Sequence, residues 1–426
     1  MAVGLFLITL LGFSLLGLPV AFSLAVSAVV LALVQKVSLS IAVAQGINGI
    51  NSFPLLAIPF YMLLGEIMNR GSIAQRLVKL ADALIGFVTG GLGLVAVLAS
   101  MFMGGISGSA VADSAAIGGI LIPSMQRQKY PAKVAGAIVG TASVIGIIIP
   151  PSIPFVLFGI TTSTSIARMF LGGFVPGIMM GVALGTVVYL QAKRYGYAIP
   201  ESGFRWRALV ESLKESWLSL LIPGIVVGGI LGGVFTATEA GAAASAVALL
   251  LSFLVYRDLT LGELWRLFKV SAKTTASVLF LVATASITAW LLTIARVPDG
   301  ILAVLTSVTR SRLGILLLIH AFLLVVGCVM DLTPALLILA PILLPVAEKL
   351  GFNPVFFGVT MCINLGIGLV TPPVGTILYI MSGLTKSPVD ELVPAMLPYI
   401  AAMVVVLLIL LLFPPLVTLV PTALMG

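Results

Sequence analysis

Long apolar stretches without a charged residue recur along this chain of 426 residues. Each is at least 17 residues long, so as a helix rising about 1.5 Å per residue it can cross a hydrocarbon core of about 30 Å. Only 8% of the residues are charged and 60% are hydrophobic, whereas soluble domains are about 25% charged. The stretches predict about nine membrane spans and two further segments of another kind. The fold class is therefore an all-α polytopic membrane protein.

The remaining composition excludes several other classes of protein. The 22 basic residues exceed the 14 acidic ones, but they are scattered over short loops, so they report membrane topology and no nucleic-acid partner is expected. The two cysteines lie in apolar surroundings and indicate neither a disulfide framework nor a metal cluster. No nucleotide loop of the form G-x-x-x-x-G-K-[ST] occurs. If the chain is a transporter, it is therefore expected to be driven by an ion gradient.

Two polar segments interrupt the apolar pattern. The stretch GGISGSAVADSAAIGG (104–119) contains a single charge, Asp113, and the segment GCVMDLTP (327–334) contains Asp331. Each is interpreted as the tip of a helical hairpin that enters and leaves the membrane on one side. Small residues in a membrane helix also favour a close-packing face, which is a second interpretation of the first stretch. Asp113 likewise has two open roles, as a cap of the returning helix or as a direct part of an ion site or gate.

The two halves of the chain repeat the same residues at nearly constant spacing. Matching pairs lie 218 residues apart upstream and 222 residues apart downstream: Asp113 with Asp331, Pro123 with Pro341, Pro150 with Pro372, and Pro176 with Pro398. Shared apolar composition is the alternative explanation of these matches. The repeat interpretation, however, makes a topological prediction, because the two hairpins of an inverted repeat enter the membrane from opposite sides.

The basic residues provide a check on that topology. With the hairpins entering from opposite sides, sixteen of the 22 basic residues fall on one side of the membrane. The other six are Lys36, Arg168, Arg296, Arg310, Arg312 and Lys349. Because basic loops face the cytoplasm, the N-terminus is predicted to be cytoplasmic and the C-terminus periplasmic. Apolar residues at helical spacing over 73–88 predict an amphipathic helix that lies in the membrane interface.

Each hairpin tip is predicted to face a broken helix. Pro150-Pro151 and Pro372-Pro373 each remove two amide donors and disfavour α geometry before them. Discontinuous helices at matching points of inverted repeats indicate a substrate site at the membrane midplane, where freed carbonyls suit a small cation and positive helix N-termini suit a carboxylate. Asp113 and Asp331 are the only titratable groups at the tips, so sodium is favoured over protons as the coupling ion.

Two aspartates within the membrane also suggest an intramembrane aspartyl protease, because such enzymes share a proton between two carboxyl groups. Here each aspartate belongs to an equivalent repeat element, and no Ser/His pair or metal-ligand cluster offers another chemistry, so the chain is predicted not to be an enzyme. A channel would need polar rings along a continuous pore. His320, the only histidine, is interpreted as a packed side chain, and Glu239 as a first-turn helix acid.

Five stretches together resemble the large, DctM-like membrane subunit of the tripartite ATP-independent periplasmic (TRAP) transporters. They are FPLLAIPFYMLLGEIMNRGSIAQRL, GGISGSAVADSAAIGGILIPSM, IIIPPSIPFVLFG, FTATEAGAAAS and LVTPPVGTILY, in the family's order. The resemblance implies a sodium-coupled permease in the bacterial inner membrane that imports an organic acid, such as a C4-dicarboxylate or sialic acid, by an elevator mechanism. It implies Na⁺ as the coupling ion and no organic cofactor. The implied partners are a separate small four-helix membrane subunit and a periplasmic substrate-binding protein.

The resemblance also carries binding residues over to positions of this sequence. It places a first sodium site at Ser107, Ser109, Thr141, Ser143 and Gly146. It places a second sodium site at Gly327, Cys328, Asp331, Asn364 and Gly368. It places the substrate cavity between them at Pro151, Ser152, Thr371, Gly375 and Thr376. Asp113 is expected to organise the first tip by accepting hydrogen bonds from backbone amides.

The resemblance further implies a scaffold and a mobile transport part. The expected segments are scaffold 1–87 with the interfacial helix, transport 88–195, a cytoplasmic linker 196–217, scaffold 218–311 and transport 312–426. The alternative within the same superfamily is a one-component sodium/carboxylate symporter. Such a protein has the same hairpins but needs no binding protein.

Overall fold

The chain is helical throughout the regular structure of the computed structural model, which describes residues 2–70, 72–196 and 203–425, and no strand occurs in these ranges. The helices are α1 (Ala2–Leu15), α2 (Val20–Val34), α3 (Leu39–Ile50), α4 (Ala57–Arg70), α5 (Ser72–Ile85), α6 (Gly91–Ser107), α7 (Ala110–Arg127), α8 (Ala132–Ser143), α9 (Ile153–Thr162), α10 (Ile166–Tyr195), α11 (Trp206–Leu231), α12 (Ala237–Leu250), α13 (Leu261–Ile294), α14 (Val297–Val308), α15 (Arg312–Val329), α16 (Leu332–Lys349), α17 (Pro354–Gly368), α18 (Thr376–Thr385), α19 (Val389–Leu412) and α20 (Pro415–Met425). This confirms the all-α class.

Seven of the described helices are long and apolar enough to cross a membrane, and a bent pair of segments, Leu39–Ile50 and Phe53–Met68, becomes an eighth when counted as one span. The sequence predicts about nine spans, because it counts uncharged stretches of at least 17 residues, and some of these fold into shorter apolar helices such as α17. Helices α15 and α16, which form the predicted second hairpin, each pass as full spans. Length alone does not distinguish a re-entrant hairpin from two spans, so re-entrance stays a prediction.

The helices pack into two groups. In one group, α13 packs against α2, α3 and α4, while α12 packs against α4 and α11. In the other group, α8 packs against α6, α7, α18 and α19, while α17 packs against α15, α16 and α10. The groups meet where α4 and α5 contact α6 and where α13 contacts α16. The division of the chain into scaffold and transport segments stays a prediction.

Helix α5 has the amphipathic pattern predicted for 73–88, but its apolar side faces the protein. Ile73, Leu77 and Leu80 are buried, and α5 packs against α6 and α11. Lys79 is exposed. Protein and lipid can both cover a stripe of apolar side chains on a helix. The sequence pattern therefore predicts which side of α5 is apolar, but it does not predict whether protein or lipid covers that side.

The predicted linker 196–217 is partly helical. Its residues 197–202 lie outside the described residues. Helix α11 begins at Trp206, and an ion pair between Arg207 and Glu211, one turn apart, lies on its first turns. The helix continues past Pro223 as a span. The polar composition of this segment therefore reflects an exposed helix start as well as a connection.

Ion pairs and related contacts respect the predicted sides of the membrane. Contacts between residues far apart in the chain include Lys79 with Glu215, Lys133 with Glu391, Lys349 with Asp299, and the Arg168 guanidinium with the Met425 carbonyl. The first two join groups on the predicted cytoplasmic side, and the last two join groups on the other side. The Lys349 ammonium also holds the pKa of Asp299 below its usual range. Which side is the cytoplasm stays a prediction.

Candidate functional site

The first predicted tip is a tight turn between α6 and α7. Helix α6 ends at Ser107, and Gly108 follows with φ 61°, a left-handed conformation that favours glycine. Ser109 caps α7, since its hydroxyl accepts a hydrogen bond from the Ala112 amide at 3.4 Å. Gly108 and Ser109 therefore form the turn that reverses the chain direction between α6 and α7.

Asp113 is fully buried in the first turn of α7. The Ser107 hydroxyl donates to Asp113 Oδ1 at 2.5 Å, and Ser107 Oγ accepts the Ser109 amide at 3.2 Å. The expectation that Asp113 accepts backbone amides is therefore wrong in this detail, because a hydroxyl relays the contact and Ser109 is the helix cap. Asp113 Oδ2 has no hydrogen-bond partner among the described residues.

The first helix break packs directly onto this tip. Helix α8 ends at Ser143, a 3-10 turn covers Val144–Ile147, and α9 begins at Ile153 after the Pro150-Pro151 pair. A side chain at Gly146 would overlap Asp113 Oδ2, and one at Gly104 would overlap the Gly146 backbone. The Ile153 amide donates to the carbonyl of Gly108 at 3.4 Å. The tip and the break therefore form one continuous buried unit.

Of the predicted first sodium ligands, Ser107, Ser109 and Gly146 meet at this unit. Thr141 and Ser143 are buried close by in the chain, but their hydroxyls donate to carbonyls of α8, of Ala137 at 2.6 Å and Gly140 at 2.8 Å respectively. Each hydroxyl oxygen still has lone pairs with which to accept a bond or bind a cation. The structure thus gives these two side chains a helix-internal hydrogen bond.

The second predicted tip has the same relation to the second break. Helix α15 ends at Val329 and α16 begins at Leu332. The Val374 amide, just after Pro373, donates to the carbonyl of Cys328 at 3.0 Å. This bond corresponds to the one between Ile153 and Gly108, since both join the chain after a proline pair to the opposing tip.

Two side-chain contacts and one close backbone approach also link the second tip to its break. Cys328 Sγ lies 3.2 Å from Thr371 Oγ1, and the Thr376 hydroxyl donates to Asp331 Oδ1 at 3.3 Å. A side chain at Gly368 would overlap the backbone of Gly327. The predicted second sodium residues on the tip and on the break are therefore in contact.

Asn364 lies one helical turn before Gly368 on α17. It is buried, its Nδ2 lies 2.7 Å from the carbonyl oxygen of His320, and its Oδ1 has no hydrogen-bond partner in the part of the chain that the structure describes. Buried polar atoms are usually paired. An unpaired amide oxygen near the second tip is therefore a candidate ligand for a cation.

The two breaks differ in exposure. Pro150, Pro151 and Ser152 are buried, whereas Pro372, Pro373 and Val374 are exposed. Among the other predicted substrate residues, Gly375 is buried and Thr371 and Thr376 are half-buried. The Ser152 hydroxyl donates to the Ile147 carbonyl at 2.6 Å and accepts the Phe155 amide as the cap of α9.

A cavity of about 1280 Å³ opens elsewhere. It lies between α5, the α7–α8 connection, the end of α10 and the start of α19, and its lining includes Arg127, Lys133 and Arg205 together with Asp82 and Glu391. None of the predicted sodium or substrate residues lines it. These residues, and Lys129 beside them in the lining, belong to segments on the predicted cytoplasmic side, so the cavity is predicted to open on that side.

The donor set at the tips suits a hard monovalent cation. Carboxyl, amide, hydroxyl and backbone oxygens belong to the tips and the breaks that contact them, and hard cations take oxygen ligands. In the described ranges, no group of three His, Cys, Asp or Glu residues is placed to hold a metal ion. The unpaired Oδ2 of Asp113 and Oδ1 of Asn364 are the atoms that fit such a cation, one at each tip.

Sequence reasoning missed two residues at these tips. Gly104 makes the close approach to Gly146, and His320 makes both hydrogen bonds to the Asn364 amide. Gly104 is one of many glycines and carries no distinguishing signal. His320 carries one, since it is the single histidine of the chain and lies seven residues, or two helical turns, before Gly327.

Comparisons with known proteins identify relatives over nearly the whole chain. The family model described as "Tripartite ATP-independent periplasmic transporter, DctM component" matches residues 7–416. The chain is 41% identical to the 2,3-diketo-L-gulonate TRAP transporter large permease protein YiaN of Escherichia coli, with 98% of this chain and 99% of that protein covered. It is 38% identical to the sialic acid TRAP transporter large permease protein SiaM of Vibrio cholerae, with 98% and 97% covered.

A third relative is the C4-dicarboxylate TRAP transporter large permease protein DctM of Vibrio cholerae, which is 34% identical with 100% of this chain and 99% of that protein covered. Among solved structures, the chain is similar to the YdaH transporter of Alcanivorax borkumensis, with a TM-score of 0.61, 14% identity and 86% of each chain covered. It is also similar to MtrF of Neisseria gonorrhoeae, with a TM-score of 0.52, 15% identity, and 86% of this chain and 82% of that chain covered. These two similarities concern the fold alone.

Proposed function

The chain belongs to the DctM component family of the tripartite ATP-independent periplasmic transporters, and from this premise we propose that it is the large permease subunit of a sodium-coupled importer of an organic acid. The family consists of transporter components, so the chain is a transport protein and not an enzyme. The bacterial inner membrane is its proposed location.

One observation carries the proposal: each helix break donates a backbone amide to the tip that faces it. Ile153 donates to Gly108 in the first half and Val374 donates to Cys328 in the second half. An ion that orders a tip therefore also orders the break behind it. This is the arrangement expected where discontinuous helices of inverted repeats enclose a substrate.

The substrate class is proposed from helix ends. Helices α9 and α18 begin directly after the two breaks, at Ile153 and Thr376. The N-terminus of a helix carries partial positive charge, which favours a carboxylate. Ser152 and Gly375 precede these helices. We therefore assign the substrate carboxylate to the space between the breaks, in line with relatives named for diketogulonate, sialic acid and C4-dicarboxylates.

The sodium proposal rests on the oxygens at the tips. The first site uses the Ser107 to Ser109 turn with Gly146, and the second uses Gly327, Cys328 and Asp331 with Asn364 and Gly368. Two buried oxygens without partners, one near each tip, support it. Thr141 and Ser143 are assigned to the first site through their free lone pairs.

The proposed partners are a small four-helix membrane subunit and a periplasmic binding protein that delivers the acid. In the proposed elevator mechanism, the group of helices that holds both tips, α6–α10 with α15–α20, moves against the group formed by α1–α5 with α11–α14. Two observations support it: the packing into these two groups and the presence of both tips in one of them.

The test is uptake of labelled diketogulonate, sialic acid and succinate into liposomes that contain the chain and its small subunit, with and without the binding protein encoded beside them. We expect uptake of one acid that needs both the binding protein and an inward sodium gradient, with potassium as the control cation. Uptake that persists without sodium and follows a pH gradient would refute sodium coupling. Uptake of free acid without binding protein would favour the one-component symporter.

A further inference from the structure

His320 and Asn364 form a buried polar pair between α15 and α17. Asn364 Nδ2 lies 2.7 Å from the carbonyl oxygen of His320 and 3.1 Å from its Nδ1. On the other side of the ring, His320 Nε2 lies 3.3 Å from Thr360 Oγ1. All three side chains are buried, and the ring packs edge-on against Phe357. Every nitrogen of the imidazole therefore has a partner.

The backbone carbonyl of His320 identifies which atom of the Asn364 amide is the nitrogen. A carbonyl oxygen only accepts hydrogen bonds, so the atom of Asn364 that lies against it must be the amide nitrogen. The second N–H of that nitrogen donates to His320 Nδ1, which must then be unprotonated. The neutral ring accordingly carries its proton on Nε2, directed at the Thr360 hydroxyl, which donates onward to the Phe356 carbonyl.

This pairing uses both N–H bonds of Asn364 and leaves its oxygen available. Asn364 Oδ1 is buried and has no hydrogen-bond partner within the described ranges. Asn364 and Gly368 are four residues apart on α17, while His320 and Gly327 are seven apart on α15, so each pair lies on one helix face. The Gly327–Gly368 contact thus continues the interface in which His320 meets Asn364.

We propose that His320 is a positioning residue for sodium binding at the second tip, because it holds the Asn364 amide with Oδ1 available to the ion. The inference rests on the proposed function, in which Asn364 is a sodium ligand. A sodium ion is attracted by the amide oxygen and repelled by the amide hydrogens, so the site needs one orientation of this group. His320 does not contact the ion itself.

Two substitutions distinguish the role of His320 Nδ1 from the role of His320 Nε2. The side-chain oxygen of asparagine lies near the position of Nδ1 of a histidine, whereas the terminal amide of glutamine lies near that of Nε2. His320→Asn therefore keeps an acceptor for the Asn364 amide, and His320→Gln keeps a donor for Thr360. If His320 only filled space, the larger glutamine would be the better replacement.

The experiment measures the thermal stability of the purified full-length protein in detergent as a function of sodium, at constant ionic strength with potassium. A bound ion stabilises the folded state according to its affinity, so the sodium concentration at half effect reports binding without transport. We expect His320→Gln to raise this concentration about tenfold, as for the loss of one hydrogen bond, and His320→Asn to stay within about twofold of the unmodified protein.

Each contrary result has a distinct meaning. An unchanged half-effect concentration in His320→Gln overturns the positioning role and leaves the sodium proposal standing. Equal losses in both variants indicate packing alone and also overturn it. No sodium response in the unmodified protein overturns the inference together with sodium coupling. If His320→Gln does not fold, Thr360→Val is used instead. Because it removes the hydrogen-bond partner of Nε2, it should also raise the sodium concentration at half effect. No change in that concentration would contradict the proposal.

Discussion

The two carboxyl oxygens of Asp113 have different surroundings. Oδ1 accepts the Ser107 hydroxyl and so fastens the tip turn to α7, whereas Oδ2 lies against Gly146 without a hydrogen-bond partner among the described residues. The sequence left open whether Asp113 caps a helix or serves an ion. Ser109 is the cap, so Asp113 is not, and its Oδ2, which has no partner among the described residues, supports the proposal that it serves the first sodium site.

Substitution of Asp113 tests this division. Asp113→Asn can keep an oxygen for Ser107, but it replaces Oδ2 with hydrogens that repel a cation. Loss of a charge-assisted bond is worth about 1.5–3 kcal/mol, so we expect a sodium requirement for uptake that is raised about tenfold or more. Asp113→Leu, which loses both oxygens, should abolish uptake.

The measurement is the sodium dependence of uptake at matched expression. Ser114→Ala is the control, because Ser114 is the next residue, is also buried, and bonds only to its own helix at Val111. Its curve should resemble that of the unmodified protein. A curve for Asp113→Asn that coincides with the control would make Asp113 a structural residue.

For single residues, the sequence predicts where the tips and breaks lie better than it predicts which side chains contact each other. An isolated charge among glycines marks the first tip, and paired prolines mark the breaks, because both are local signals. The contact between His320 and Asn364, 44 residues apart, depends on how α15 and α17 pack. No local pattern encodes it, which is why His320 was interpreted as a packed side chain only.

Two helix contacts hold the tips to the breaks, and both depend on the absence of a side chain. Gly146 meets Gly104 and Asp113 in the first half, and Gly368 meets Gly327 in the second. Gly146 and Gly368 are 222 residues apart, the same offset as Pro150 and Pro372. This shared offset supports the repeat interpretation at the level of helix packing.

Alanine at position 368 should separate α15 from α17. The added Cβ would overlap the Gly327 backbone, and overpacking of this kind costs about 1–3 kcal/mol. We expect Gly368→Ala to lower the thermal unfolding midpoint and to abolish sodium-dependent stabilisation at the second tip.

Gly383→Ala is the matched control on α18, where a Cβ meets nothing within 4 Å. Because alanine favours helix by up to about 1 kcal/mol over glycine, this variant should be as stable as the unmodified protein or more so. A full sodium response in Gly368→Ala would show that the close approach of the two helices is not required.

Charged contacts on the whole molecule stay within one predicted side of the membrane. Lys133 meets Glu391 at one surface and Lys349 meets Asp299 at the other. The sequence could predict this separation, because loop charges follow a topological rule. It could not predict that α5 buries its apolar face against protein, since periodicity does not identify the partner.

The topology itself can be measured with a reporter that is active only in the cytoplasm. Fused to the C-terminus, it should be silent, because the predicted topology has an odd number of crossings between the termini. The same reporter inserted after Arg127, between α7 and α8, should be active and serves as the positive control. Activity at the C-terminus would mean that the number of crossings is even, as it would be if one of the predicted hairpins were a single span.

The two breaks, one buried and one exposed, have a consequence for the opposite end of the transport cycle. The matching proline pairs therefore have unequal surroundings, with Pro150 and Pro151 covered and Pro372 and Pro373 open. If the two halves exchange exposure between the end states of the proposed transport cycle, the opposite state is the one in which the first pair is open and the second is covered.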